Sequence, residues 1–407
     1  MTARPLSPAL RECPQCGLRQ CVPVPGRGQV ALCRRCGALL WRRRSEPTDR
    51  ALALSVTGLA LFGLFASLPL VGITLSGQTR TSTLLGFPTA FASQGRPLLA
   101  ILVLGTIVLA PLVRLLLTIL VLGGARASSR PTVLARLARW RGQLAPWAMI
   151  EVFLLGVFVA YTRLGDIAPV TLGLAAFALG ALVMAKVASQ ALLDEHVLWE
   201  EIGPPAPLRA EPRAIACETC GFLTSRPEGA PCPRCSATLH RRRPGSIQQS
   251  WAFLIAAVML YIPANVFPVM TIIRLGHGQP STILGGVQEL LGAGLWPLAL
   301  LVFVASICIP ILKIFGLALL LVSTQRGARR RLRDRTRLYR IVDAIGRWSM
   351  IDVFMISILT ALVQNGALAT VTPDLGAACF AAVVVLTMLA AASFDPRLMW
   401  DAARRRR

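Results

Sequence analysis

The sequence predicts an all-α polytopic membrane protein made of two tandem four-helix transmembrane modules, each preceded by a small cysteine-rich head. Three observations carry that expectation. First, 55% of the 407 residues are hydrophobic and only 15% are charged, with a mean hydropathy of +0.62. A soluble domain carries about 25% charged residues, so this chain cannot cover its surface with charge and lipid must cover much of it. Second, apolar runs of the roughly 20 residues needed to cross a bilayer recur along the chain. Third, the chain repeats itself at a spacing of 199 to 201 residues.

Clear apolar runs occupy 51–75, 98–122, 167–190, 251–273, 295–322 and 376–394. Two weaker ones, about 147–164 and 348–365, each carry a carboxylate near the start, Glu151 and Asp352. The duplication supports counting them, because it pairs one with the other. Cys36, Pro69, Ser82-Thr83 and Pro111 find Cys235, Pro268, Ser281-Thr282 and Pro310 199 residues later. Further on the offset is 201: Trp147-Ala-Met-Ile-Glu151-Val-Phe matches Trp348-Ser-Met-Ile-Asp352-Val-Phe, and Asp194 and Trp199 match Asp395 and Trp400. The expected organisation is a head at 1–50, a four-span module at 51–200, a second head at 201–247, a second module at 248–400 and a basic tail at 401–407. An even number of spans per copy returns both heads to one side, so the repeat is parallel.

Of the 43 basic residues, 36 fall in the segments 1–50, 123–146, 191–250, 324–347 and 395–407, and the loops on the other side hold only Arg80, Arg96, Arg163 and Arg274. The positive-inside rule therefore predicts that both termini and both heads are cytoplasmic. The net charge of +24 is then mostly a topology signal, and no nucleic-acid partner is expected. No apolar signal-peptide core precedes residue 45, which argues against secretion. Leu338, Ile341, Val342, Ile345 and Trp348 recur at helical spacing among arginines, which predicts a helix lying in the membrane interface. A solvated basic loop is the alternative for 326–337. Loops 76–97 and 274–294 share a Ser-Thr-x-Leu-Gly match and predict a turn or short hairpin.

Eight of the eleven cysteines form four Cys-x-x-Cys pairs: Cys13/Cys16 with Cys33/Cys36, and Cys217/Cys220 with Cys232/Cys235. Each pair resembles a knuckle whose turn aims two sulfurs at one point, with Gly17, Gly37 and Gly221 suited to the turn that follows. Two knuckles supply the four thiolates of a closed tetrahedral zinc site, which leaves no position for a substrate. Structural Zn2+, at up to two sites, is therefore expected. A redox dithiol or a degenerate, metal-free head is the competing reading. Cys21, Cys308 and Cys379 lack partners at ligand spacing, and none of the three histidines is assigned to metal.

A charge at mid-bilayer costs about 2.5–3.5 kcal/mol on insertion scales and is a functional candidate by default. Lys313 lies within the 295–322 run and Asp352 near the start of the next. A buried lysine can give up its proton where an arginine stays charged, so a Lys–Asp pair can change protonation state. Ser306, Ser349 and Thr387 can extend the constellation. The first copy carries Arg114 and Glu151 at the matching places, a permanently charged version and so a more structural one. The bland alternative is that both pairs only stitch helices together, although buried pairs contribute little net stability. Lys186, near the end of its run, is expected to snorkel to the interface. No nucleotide-binding loop, Ser/His/Asp set or His-Glu-x-x-His motif is present, so no enzyme is expected, and uphill work must draw on an ion gradient or a partner.

These features resemble the PqiA family (paraquat-inducible protein A, including LetA) of Gram-negative inner membranes. The resemblance rests on the doubled Cys-x-x-Cys heads, four spans after each, Pro-Val-Met-Thr at 268–271, Pro-Ile-Leu-Lys at 310–313 and Trp-Ser-Met-Ile-Asp-Val-Phe at 348–354. It covers nearly the whole chain. It implies zinc-ribbon-like cytoplasmic heads, a membrane-anchored partner of the MCE family whose periplasmic domains form a tunnel, and phospholipid cargo. It also implies a polar network of Lys313, Ser306, Ser349, Asp352 and Thr387 in the second module, acting as a proton relay. Departures are Ser236 in place of glycine after the last knuckle, and Arg114 and Glu151 in the first copy. The expected function is an inner-membrane lipid-trafficking subunit that loads or accepts phospholipid in a transmembrane cavity. A zinc- or thiol-based stress sensor and a proton-coupled exporter of small amphiphiles are the alternatives.

Overall fold

The computed structural model describes residues 9–26, 28–43, 48–75, 78–126, 132–165, 170–203, 214–274, 277–363 and 369–405. In the first head each knuckle is the turn of an antiparallel hairpin. Strands Ala9–Glu12 and Arg19–Val22 flank Cys13 and Cys16, and Val30–Leu32 and Leu39–Arg42 flank Cys33 and Cys36. The second head repeats this in shorter form, with Ile215–Ala216 paired to Leu223–Thr224 and a bridge from Pro231 to Thr238.

Among the described residues seven helices are long and apolar enough to cross a membrane, and a shorter apolar helix, Ile150–Thr162, takes the eighth place. The protein is therefore an integral membrane protein of two tandem modules. The runs expected at 51–75 and 251–273 overshoot their helices, which end at Ser67 and Val266. Pro69 and Pro268 follow, and a proline restricts the residue before it to extended conformations. The β-branched residues beyond turn into strands instead. Val71–Leu75 pairs with Gln78–Ser82, and Met270–Arg274 with His277–Ser281, so the expected hairpins are present. Each hairpin gains a third strand, Val170–Leu172 or Ala369–Pro373, which periodicity within a single loop could not disclose. For the same reason the run expected from 167 becomes helical only at Leu174.

After the hairpin comes a short helix, Gly86–Ser93 or Ile283–Gly292. A 30-residue helix follows, Pro97–Arg126 or Trp296–Gln325. Each long helix widens to a π turn, Leu104–Leu109 or Val304–Cys308, just ahead of Pro111 or Pro310. Proline has no N–H to give the carbonyl four residues back. The register slips by one residue instead, and Ile309 N–H donates to Val304 O, as Ala110 N–H does to Gly105 O. Such π bulges recur at functional sites.

The basic connector is a helix, Leu332–Ile345, continuing through a 3-10 turn at Gly346–Met350 into Ile351–Leu362. The loop alternative thus holds only for the residues before Leu332. Ile351–Leu362 packs against Ile150–Gly165 at the seam between the modules. The Phe153 and Phe354 rings meet edge to face at 5.7 Å, and a Cβ on Gly156 would lie 3.1 Å from Phe354 Cβ. The seam explains why these two spans read weakly: protein covers them instead of lipid, so they can carry Glu151, Asp352, Ser357 and Thr360. The outer helices instead expose large apolar side chains such as Phe177, Met184, Met259 and Phe315, as a lipid-facing surface requires.

Candidate metal centres and membrane polar site

The four knuckles share one backbone solution. In each, the residue after the second cysteine lies in the left-handed region and its N–H returns to the first cysteine's carbonyl at 2.9 Å: Gly17 to Cys13, Gly37 to Cys33, Gly221 to Cys217 and Ser236 to Cys232. Ser236 does this at φ +56°, without glycine's freedom. The knuckles converge in pairs. Cys13 and Cys36 sulfurs stand 3.6 Å apart, Cys16 and Cys33 3.5 Å, Cys217 and Cys235 3.5 Å, and Cys220 and Cys232 3.7 Å. Four thiolates 2.3 Å from a central ion are about 3.8 Å apart, and all sulfurs of each cluster lie within 4.8 Å of one another. All eight are buried. Each cluster can therefore hold one metal ion, and neither includes a histidine.

Sequence reasoning missed how the heads are fastened. Arg397, just past the last membrane helix, is 4% exposed. Its guanidinium reaches Asp395 Oδ2 at 2.8 Å, Glu12 Oε1 at 3.8 Å and Glu218 Oε1. Glu12 precedes Cys13 and Glu218 follows Cys217, so one cation ties both clusters to the end of the membrane domain. Burial alone would raise the Asp395 carboxyl, yet Arg397 holds it below its usual value. The match of Asp194 with Asp395 was the available signal. Asp194 caps the helix Glu195–Ile202 and accepts Trp41 Nε1 of the first head at 3.2 Å.

Within the second module, the π turn directs Ser306 at the seam helix, where its hydroxyl meets the Asp352 carboxylate and also reaches Val302 O at 2.7 Å. Lys313 is 1% exposed and donates to Gly346 O at 3.4 Å. Among the described residues no ion pair within 4.0 Å joins Lys313 to Asp352. Thr387 donates to Val384 O of its own helix at 2.9 Å. Ser349 is fully buried and its hydroxyl has no hydrogen-bond partner among the described residues. A small cavity of about 30 Å³ touches Ser306 and Asp352 and runs to Met270 and Thr282 beside the three-stranded sheet.

The first module requires a correction. The expected Arg114–Glu151 pair is not formed among the described residues. Lys186 Nζ instead donates to Glu151 Oε2 and to Ala148 O, both at 2.9 Å. Lys186 does not snorkel either, being 6% exposed. The repeat offset explains both: Lys186 is 201 residues before Thr387, so the two occupy the same place on the fourth helix. A polar triad thus reads Arg114, Glu151, Lys186 in one module and Lys313, Asp352, Thr387 in the other, and the first module adds a cation on its fourth helix where the second has a threonine.

Paired four-cysteine heads able to hold metal ions, set on tandem bundles that each carry a polar triad, define a class of duplicated membrane proteins. Residues 48–203 and 247–404 each match the family described as paraquat-inducible protein A, and the chain belongs to that family. It is 34% identical over 398 residues to intermembrane transport protein PqiA of Escherichia coli (strain K12), covering 96% of this chain and 95% of that protein. It is 32% identical over 394 residues to lipophilic envelope-spanning tunnel protein A of the same strain, covering 96% and 91%. With a probable intermembrane transport protein of Haemophilus influenzae the identity is 27% over 403 residues, covering 96% and 95%. No solved structure is matched.

Proposed function

We propose that this protein is an inner-membrane subunit of an envelope lipid-trafficking system, loading or accepting phospholipid in its second module. The lipid would be exchanged with a tunnel-forming partner of the MCE family on the side away from the heads. The names of the relatives, intermembrane transport protein and lipophilic envelope-spanning tunnel protein, support the transport half of this reading. The observation that carries the site is the Ser306–Asp352 contact at the wall of a cavity reaching the sheet. Ser306 has one hydroxyl proton and two acceptors in reach, so a proton arriving on Asp352 completes both bonds. Protonation would thereby tighten the π turn's hold on the seam helix and loss of the proton would loosen it, with Lys313 and the buried Ser349, whose hydroxyl has no partner among the described residues, as the next polar groups. The heads, on this reading, are cytoplasmic and hold structural Zn2+, for which buried sets of four cysteines are suited.

Photocrosslinking in cells tests it. A crosslinking amino acid replaces Met355, which lines the cavity, after lipids are labelled with radioactive phosphate. Label at Met355, well above that at the lipid-facing Phe315, is expected. Equal labelling at the two positions removes the lipid site and brings forward a metal- or thiol-sensing role. The contact of Arg340 with Cys36 O at 2.9 Å would then be the observation to build on.

A further inference from the structure

The first module holds a second site, outside the Asp352 region. A cleft of about 350 Å³ opens between strand Leu39–Arg42 of the first head and the head-side ends of the first module's helices. Arg42, Arg114 and Arg141 line it, with Leu39, Trp41 and Leu193 as apolar wall. A smaller recess continues past Arg114 and Arg141 to Thr118, Ser55 and Lys186. Two carboxylates border the cleft and both are engaged. Asp194 accepts Trp41 Nε1 and the N–H groups of His196 and Val197, and Glu195 takes one Arg141 nitrogen at 3.1 Å. His196 adds no charge near neutral pH, because burial and then the Arg11 guanidinium push it down to about 4.

The cations are undersupplied with partners. Among the described residues the Arg114 guanidinium makes no hydrogen bond or ion pair, and Arg141, 5% exposed, keeps a buried Nε without an acceptor. A buried donor left unmade is costly, and two arginine forks facing one space suit a tetrahedral oxyanion. The duplication supplies an internal control. At the offsets of the repeat, Ser55, Thr118, Arg141, Ser189 and Leu193 become Leu254, Leu317, Val342, Ala390 and Phe394, all buried in a single apolar cluster. Where the second module closes this space with hydrocarbon, the first keeps it open and cationic.

We infer that the cleft at Arg114 and Arg141 binds a phosphate group, with the apolar wall of Leu39, Trp41 and Leu193 suited to the glycerol and chain roots of a phospholipid from the head-side leaflet. This site is independent of the Asp352 reading, since it needs no transport.

The test uses the purified full-length protein in detergent micelles, titrated with radiolabelled phosphatidylglycerol, with diacylglycerol as the phosphate-free comparison. Saturable phosphatidylglycerol binding is expected, with one site weakened about tenfold or more by Arg114→Gln, the size typical of losing charge-assisted hydrogen bonds. Arg114→Lys should fall between, retaining charge without the fork. Inorganic phosphate is the second probe, on unmodified protein. If it competes at millimolar concentration and alone shows the same loss in Arg114→Gln, the site takes phosphate from solution; if it does not compete, the lipid headgroup is the ligand. Saturable lipid binding unchanged by Arg114→Gln, or diacylglycerol bound as well as phosphatidylglycerol, overturns the assignment. Binding at Met355 in the second module would survive Arg114→Gln, so the two sites fail separately.

Discussion

Arg397→Met is the substitution whose effect the structure specifies most closely. The side chain is 5% exposed and faces three carboxylates, of which Asp395 is 1% exposed, Glu12 8% and Glu218 32%. Methionine keeps the aliphatic volume and deletes the charge. Glu12 retains Arg242 at 3.5 Å and Glu218 retains Arg243 at 3.0 Å. Among the described residues Asp395 keeps only backbone donors, residue 397 N at 3.0 Å and Arg243 N at 3.2 Å. Breaking one partner out of a buried pair costs about 3–5 kcal/mol because a charge is left uncompensated. The half-exposed Glu218 and the three surviving arginines, Arg19 at 3.1 Å from Glu12 among them, bring the expectation to the lower end, about 3 kcal/mol. For a cooperative unit of about 150–250 residues this lowers the melting temperature by roughly 6–12 °C. The measurement is thermal unfolding of the purified protein in detergent, with proteolysis of the heads followed in parallel. The heads should become cleavable before the membrane helices lose structure. A melting temperature within about 2 °C of the parent, with heads equally resistant, would refute the idea that Arg397 is one of the contacts that fasten them.

The other expectations are briefer. Ser236→Gly relieves a left-handed serine, about 1–2 kcal/mol of backbone cost offset by about 0.5–1 kcal/mol of glycine's extra unfolded freedom. The second head should therefore hold metal a few-fold more tightly against a competing chelator, and weaker holding would count against the strain. His196, neutral in the fold and pushed down to about 4, takes up a proton near pH 6.5 when unfolded. Its Nε2 faces Leu40 O at 2.7 Å and its other nitrogen faces Arg11, so a second proton is opposed. Stability should be fully present above about pH 6.5 and decline by up to about 3 kcal/mol as pH falls to about 4. His196→Gln should flatten that limb in a urea titration at several pH values. Chelation should raise the thiols open to maleimide from Cys21, Cys308 and Cys379 towards all eleven, because heads this small depend on metal to fold. Finally, Lys186→Met alone should destabilise more than Lys186→Met with Glu151→Gln, since the single change strands a half-buried carboxylate; equal losses would mean the 2.9 Å bond is not a coupled pair.

The sequence disclosed whatever is local or repeated. The cysteine clusters were legible because a knuckle is built from six or seven contiguous residues, and the tandem modules because Pro69, Pro111 and Trp147 each recur once. Lys186 was misread because hydropathy near a span end looks the same whether a lysine reaches for water or for Glu151. Its alignment with Thr387 carried the missing information. Arg397 was invisible for another reason: it lies among four other arginines in 395–407, and only the approach of Glu12 and Glu218 from distant parts of the chain distinguishes it. The third strand of each sheet, Val170–Leu172 and Ala369–Pro373, pairs with a hairpin roughly 100 residues upstream, beyond the reach of any local pattern.

The head contacts also cross between the copies. Arg340, on the amphipathic helix of the second module, donates to Cys36 O and Gly37 O of the first head at 2.9 and 3.4 Å. Its counterpart 201 residues earlier is Arg139, on the amphipathic helix of the first module, and this donates to Ser236 O of the second head at 3.3 Å. Ser236 is itself the counterpart of Gly37. Each module's interfacial helix thus holds the last knuckle of the other module's head, as a parallel repeat related by a two-fold axis allows. The consequence differs between the two halves. Arg340 lies six residues before Gly346, whose carbonyl receives Lys313, and one continuous helical rod carries it on to Asp352. Arg139 is separated from Glu151 by a break between Gln143 and Ile150, and Glu151 is already locked by Lys186. The first head is thus hydrogen-bonded to the rod that carries the second module's polar site, while the second head is hydrogen-bonded to a helix that stops short of the Glu151–Lys186 pair.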